Sequence, residues 1–246
     1  MRKVLTLAGR ELAGYFYSPM AYVIGALVLA MTGAIFFYGF ELIGIERVFR
    51  PGAEASLRSL FEAMAYIMVF AAPVMTMRLL SEEFDSGTIE TLMTAPVTDA
   101  TIILGKFLGV LGFYVVLLAG TGVFMVITAV YGTPDAGVAV MGYLGMLLMG
   151  SAFLAVGIFT STLTRYQIVA AIAAVAILAL FAILMQQLVA HAPEPLNELA
   201  SRLSAMRYFK DFARGVFDTR GLAFFVTAAA LFLFLSVKSL ESRRWR

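Results

Sequence analysis

The chain has 246 residues, of which 61% are hydrophobic and 14% charged. Soluble domains hold roughly 45–50% apolar and about 25% charged residues, so a water-soluble globular protein is excluded, and a disordered chain is excluded by the same figures. Eighteen Lys and Arg against 16 Asp and Glu leave a net charge of +2, without the basic surplus that a nucleic-acid binder needs to displace counterions.

There is no cysteine and one histidine, His191. Disulfides, thiolate chemistry and metal centres needing two or three His ligands are excluded. The composition is that of an integral membrane protein.

Residues 1–18 read as an amphipathic helix at a membrane surface, with Val4, Ala8, Leu12 and Tyr15 on one face and Lys3, Thr6 and Arg10 opposite. Ser18-Pro19 separates it from an uncharged run at 12–40, too long for the apolar region of a signal peptide (about 7–15 residues). Six spans are expected, at about 20–42, 60–80, 104–131, 137–163, 166–190 and 221–238. They are continuously apolar, unlike barrel strands, which alternate. The fold class is therefore all-α, with six transmembrane helices in a single transmembrane domain over residues 1–246. Pro73 is expected to kink the second span.

Six spans place both termini on one side. That side carries ten Lys and Arg against eight on the other, which assigns both termini to the cytoplasm by the positive-inside rule. Residues 78–103 then form the one substantial cytoplasmic loop. Residues 41–59 and 191–220 lie outside. Pro193 and Pro195 open an outer amphipathic segment, 194–220, whose apolar stripe contains Phe209, Phe212, Val216 and Phe217.

Five of the six runs are long enough to cross without an ionisable residue, so neither a proton relay nor an intramembrane hydrolase is supported. No phosphate-binding loop of the G-x-x-x-x-G-K-[ST] type occurs, so ATP is not hydrolysed on this chain. Gly105 and Gly109, and Gly157 and Ser161, stand four apart and mark close helix approach. The alanine-rich fifth span serves either intrachain packing or a seam between two copies. The seam reading singles out Ala170, Ala174 and Ile177.

In the cytoplasmic loop, Gly87 permits a break after Glu82-Glu83-Phe84-Asp85. Thr88–Thr94 then reads as a short helix with Ile89, Leu92 and Met93 on one face and Glu90 and Thr91 elsewhere. Pro96 stops it, and Asp99 is the expected N-cap of the next helix. A short helix tied at both ends to membrane helices either transmits force from a soluble partner or only anchors the loop.

The pattern Glu82-Glu83-(x)3-Gly87-Thr88-Ile89-Glu90-Thr91-Leu92-(x)3-Pro96-Val97, followed by Gly105-Lys106, resembles the hallmark of ABC-2 type transporter permeases. The opening Arg10-Glu11-Leu12-(x)2-Tyr15-Phe16-Tyr17-Ser18-Pro19, the Thr160–Gln167 turn and Tyr208–Asp218 are similar to the gliding-motility-associated branch. Phe84-Asp85 stands where relatives often carry basic residues.

The resemblance implies an elbow helix (1–18) and six spans. It also implies a coupling segment (82–98), in which Glu82, Glu83, Gly87, Thr88, Ile89, Glu90, Leu92 and Pro96 dock on an ATPase. Phe209, Phe212 and Phe217 would belong to an outer gate. MgATP would be held by the partner ATPase and no cofactor by this chain. A second permease copy or paralogue completes the dimer, in contact with the lipid bilayer and an extracytoplasmic auxiliary protein. The expected location is a bacterial inner membrane, and an uncharged path suits lipid-like, peptide or glycolipid cargo. The alternative is a non-transporting scaffold that recruits a soluble partner through 82–98.

Overall fold

The computed structural model describes residues 2–39, 57–89, 97–131, 135–191, 193 and 196–244. Among them there is no strand. The helices in chain order are α1 (Arg2–Tyr17), α2 (Pro19–Tyr38), α3 (Leu57–Thr76), α4 (Arg78–Asp85), α5 (Asp99–Gly120), α6 (Gly122–Tyr131), α7 (Ala136–Leu163) and α8 (Gln167–Ala179). A five-residue π-helical turn, Leu180–Leu184, leads into α9 (Met185–His191), followed by α10 (Leu196–Leu203), α11 (Ala205–Ala213) and α12 (Thr219–Arg244). Among the described residues six stretches are long and apolar enough to cross a membrane: Pro19–Tyr38, Leu57–Asp85, Asp99–Tyr131, Ala136–Leu163, Gln167–His191 and Thr219–Ser242.

Local chemistry sets the helix boundaries. Ser18 is the N-cap of α2 and Pro19 occupies its first turn, where a missing N–H costs nothing. The second stretch does not break at Pro73. Helix α3 runs through the proline, and the break falls at Met77, whose N–H still bonds the Pro73 carbonyl at 2.8 Å. The N-cap of α5 is Thr98 rather than Asp99: Thr98 is extended and its hydroxyl accepts from the Thr101 N–H, which moves Asp99 into the first turn of the helix. There its carboxylate faces the positive end of the helix dipole.

Helix α7 is the centre of the bundle, and its glycines are where other elements press in. Gly142 lies under the Phe61 ring of α3, Gly145 under Phe212 of α11, Gly150 under Tyr114 of α5 and Gly157 under Thr76 of α3. Tyr114 is fully buried and donates its hydroxyl to the Met146 carbonyl at 2.8 Å. In lipid no hydrophobic drive separates one apolar surface from another, so close approach at small residues carries the packing.

Gly157→Val is expected to cost about 1–3 kcal/mol by overpacking against Thr76. Gly25→Ala, where an added Cβ meets open space, is expected to hold or gain stability. Thermal unfolding of the two variants in detergent checks the contrast.

Candidate functional site: the buried charge cluster at the end of the second span

The first sixteen helical residues do not stand apart from the bundle. Helix α1 runs alongside the first half of α5 in the same direction. Gly105 receives Leu7, Gly109 receives Glu11 and the Ala8 backbone, and Gly112 receives Leu12. Tyr15 stacks on Phe113 at a centroid distance of 4.9 Å. The close approach marked by Gly105 and Gly109 is therefore an intrachain one.

That approach buries Lys106. The sequence places this residue among the cytoplasmic surface charges; in the structure it is 2% exposed. Its ammonium donates to Glu83 Oε1 at 2.7 Å and to Glu11 Oε1 at 3.2 Å. Three segments far apart in sequence thus meet on one cation: α1 through Glu11, α4 through Glu83 and α5 through Lys106 itself. The second oxygen of Glu83 is buried with no hydrogen-bond partner. Above the cluster the Tyr15 hydroxyl donates to the Met75 carbonyl at 2.5 Å. Burial, reinforced by the Glu11 charge and opposed by Arg78, pushes the Tyr15 hydroxyl well above its usual range, so it stays a donor.

Glu82 and Glu83 adjoin in sequence but face different surroundings. Glu82 accepts from Arg78 Nε at 2.9 Å and from a terminal guanidinium nitrogen at 3.1 Å, on the exposed side of α4. The other terminal nitrogen of Arg78 reaches Met20 Sδ at 3.2 Å.

Ser161 of α7 holds the opposite end of α4. It accepts from the Leu80 and Ser81 N–H groups at 3.1 and 3.0 Å and donates to the Met77 carbonyl at 3.1 Å. One hydroxyl thereby uses its donor and both acceptor positions on backbone groups at the break after α3. Ser81 also donates to the Ser161 carbonyl at 3.2 Å. Helix α4 ends at Ser86, and Gly87 takes φ 73°, the left-handed conformation that favours glycine. Thr88 and Ile89 follow in helical conformation, with Ile89 buried. Glu90, Leu92 and Pro96 lie outside the described residues.

The remaining expected site residues fall in two places. Ala170 and Ala174 are buried within the chain, on the side of α8 that faces α3 and α7, and Ile177 is half-buried. The exposed stripe of this span is instead Ile168, Ile172, Ala176, Leu180 and Leu184. Phe209 and Phe212 are fully buried, with Phe212 against Gly145 and Gly221, while Phe217 is half exposed and meets Phe212 edge-on.

A family model described as "ABC-2 family transporter protein" matches residues 5–237. The chain belongs to the ABC-2 transporter family. A comparison with curated proteins finds no match. Members of this family are the transmembrane components of ABC transporters and not their ATPases, and membership implies an ABC ATPase partner and dimerisation. The match takes in the whole charge cluster, Glu11 to Lys106.

The double variant Glu11→Gln with Glu83→Gln strands a buried cation and is expected to cost about 3–5 kcal/mol. Either single change leaves Lys106 one carboxylate and is expected to cost clearly less than half of that. Detergent unfolding of the three variants reads the coupling as a departure from additivity.

Proposed function

We propose that this chain is the permease subunit of an ATP-driven exporter, or of a machine that acts on an extracytoplasmic partner. It works as a homodimer or a heterodimer with a paralogue, on ATPase subunits that bind MgATP. Its membrane is the bacterial cytoplasmic membrane and both termini are cytoplasmic, with α1 as the elbow helix. The stretches with gliding-motility-like character suggest that branch of the family.

The observation that carries this reading is the course of residues 78–89. A charged helix prolongs the second span past a break, is held by α7 at one end and by Lys106 at the other, and turns at Gly87 into the Thr88-Ile89 segment. Such a segment is suited to meet a soluble subunit and to pass its motion to the spans. Its docking surface is Glu82, Gly87 and Thr88 together with Glu90, Leu92 and Pro96, with the buried Ile89 anchoring it to the bundle. Glu83 contributes from behind, by fixing the helix that presents them. On the outer side, Phe217 and the exposed Val216 form the accessible part of a gate whose other aromatics, Phe209 and Phe212, root it in the bundle.

The test is copurification of the full chain with a candidate partner ABC ATPase, with ATP turnover assayed in its presence and absence. A stoichiometric complex with altered turnover is expected, and Glu90→Lys combined with Leu92→Asp is expected to abolish both. Independent migration of the two proteins, or a double variant that binds and turns over as before, would refute the reading.

A further inference from the structure

Two interlocked units meet at the end of the second span. In one, α1 is seated on the glycines of α5, and Glu11 is bonded to Lys106. In the other, α3 and α4 are fastened to α7 through Thr76, packed on Gly157, and through Ser161. At this end two polar ties cross between the units, Lys106 to Glu83 and the Tyr15 hydroxyl to the Met75 carbonyl, while a third, Tyr114 to the Met146 carbonyl, crosses deeper in the bundle. Lys106, Glu83, Tyr15 and Met75 all border one cavity of about 290 Å³. Packing between the units is incomplete there, and the first two ties bridge the gap.

The Lys106 tie joins three elements through one buried ammonium that Glu11 and Glu83 share. Lys106 is 2% exposed in this arrangement, and moving Glu83 away would leave it only the 3.2 Å bond to Glu11. The second Glu83 oxygen already lacks a partner, so losing Lys106 would leave the carboxylate worse satisfied still. A displaced α4 therefore keeps its 2.7 Å bond only if Lys106 follows it, and Lys106 is bonded to α1 through Glu11. Tyr15 adds a second point, rooted on Phe113 by ring stacking.

We propose that Lys106 and Tyr15 are positioning residues for energy coupling, a two-point joint that carries displacement of α4 into the N-terminal helix. The inference rests on the reading of 82–96 as the ATPase-facing segment. It predicts that ATP binding to the partner moves α1, although α1 need not touch the ATPase.

The experiment uses the complete complex with a fluorophore on Gly9→Cys, where a side chain meets open space in a chain with no other cysteine. ATP is expected to shift the label signal in the otherwise wild-type complex. Lys106→Met with Tyr15→Phe is expected to retain bound ATPase and to lose most of the amplitude. Tyr15→Phe keeps its ring stacking and is expected to reduce the amplitude on its own, which decides the matter if the double variant does not fold. Tyr114→Phe loses a more deeply buried hydrogen bond away from the joint, and is expected to lower stability without reducing the amplitude.

A label silent to ATP in the assembled wild-type complex overturns the joint. So does full amplitude in Tyr15→Phe and the double variant, or an equal loss in Tyr114→Phe. Absence of any ATPase from the wild-type preparation refutes the functional reading itself, and with it the joint.

Discussion

A lysine almost wholly removed from solvent organises the end of this bundle where the N-terminal helix meets the second and third spans. A buried ammonium is costly unless paired and hydrogen-bonded, and Lys106 finds its two carboxylates on two different elements, α1 and α4. The cluster therefore exists only when the N-terminal helix, the end of the second span and the start of the third are all in place. Such a charge selects one arrangement against others that would leave it unpaired, whatever its net contribution to stability. Nothing comparable is needed in the mid-span region, where packing at glycines suffices.

The two kinds of contact depend on one another. Lys106 could not be covered by α1 without the close approach permitted by Gly105, Gly109 and Gly112. Those glycines in turn would leave a shallow groove if Glu11 had no cation to meet. Helix α7 repeats the logic without charge: Gly157 admits Thr76, and four residues on, Ser161 satisfies the backbone at the break after α3. A stripe that begins as space ends as a hydrogen-bond cap, and the break at Met77 is fixed from outside its own helix.

What was legible in the sequence follows from what a one-dimensional pattern encodes. Long uncharged runs have one physical interpretation in a chain this apolar, so the all-helical, six-span class could be read from them directly. The partner of a small or apolar stripe is not encoded in that way. Ala170 and Ala174 fit a seam between copies as well as a contact within the chain, and the structure uses both within the chain. Phe209 and Phe212 fit a surface helix as well as a buried one, and both are buried. Lys106 lay at the edge of an apolar run, where a long side chain ordinarily snorkels to water. Its burial depends on α1, whose Glu11 stands ninety-five positions away in the chain, and local pattern holds no sign of it. Glu83 and Lys106 belong to one motif and Glu11 to another, and neither motif carries a sign that the three charges meet.

The pair Glu82-Glu83 shows why adjacency misleads on a helix. Successive residues are about 100° apart around the axis, so two neighbouring carboxylates can serve opposite sides. Glu82 is spent on Arg78 at the exposed surface and Glu83 on Lys106 within. The same short helix thereby presents one face outward while its position is dictated from inside. Ser161 fixes its start and Lys106 its second turn, and only at Gly87 does the backbone change direction. Rigidity in this segment comes from those two fastenings, since eight residues of isolated helix would not hold together in water. A segment made rigid only by its neighbours cannot move without them, which makes this stretch the place where motion imposed from outside would be felt by two spans and the N-terminal helix together.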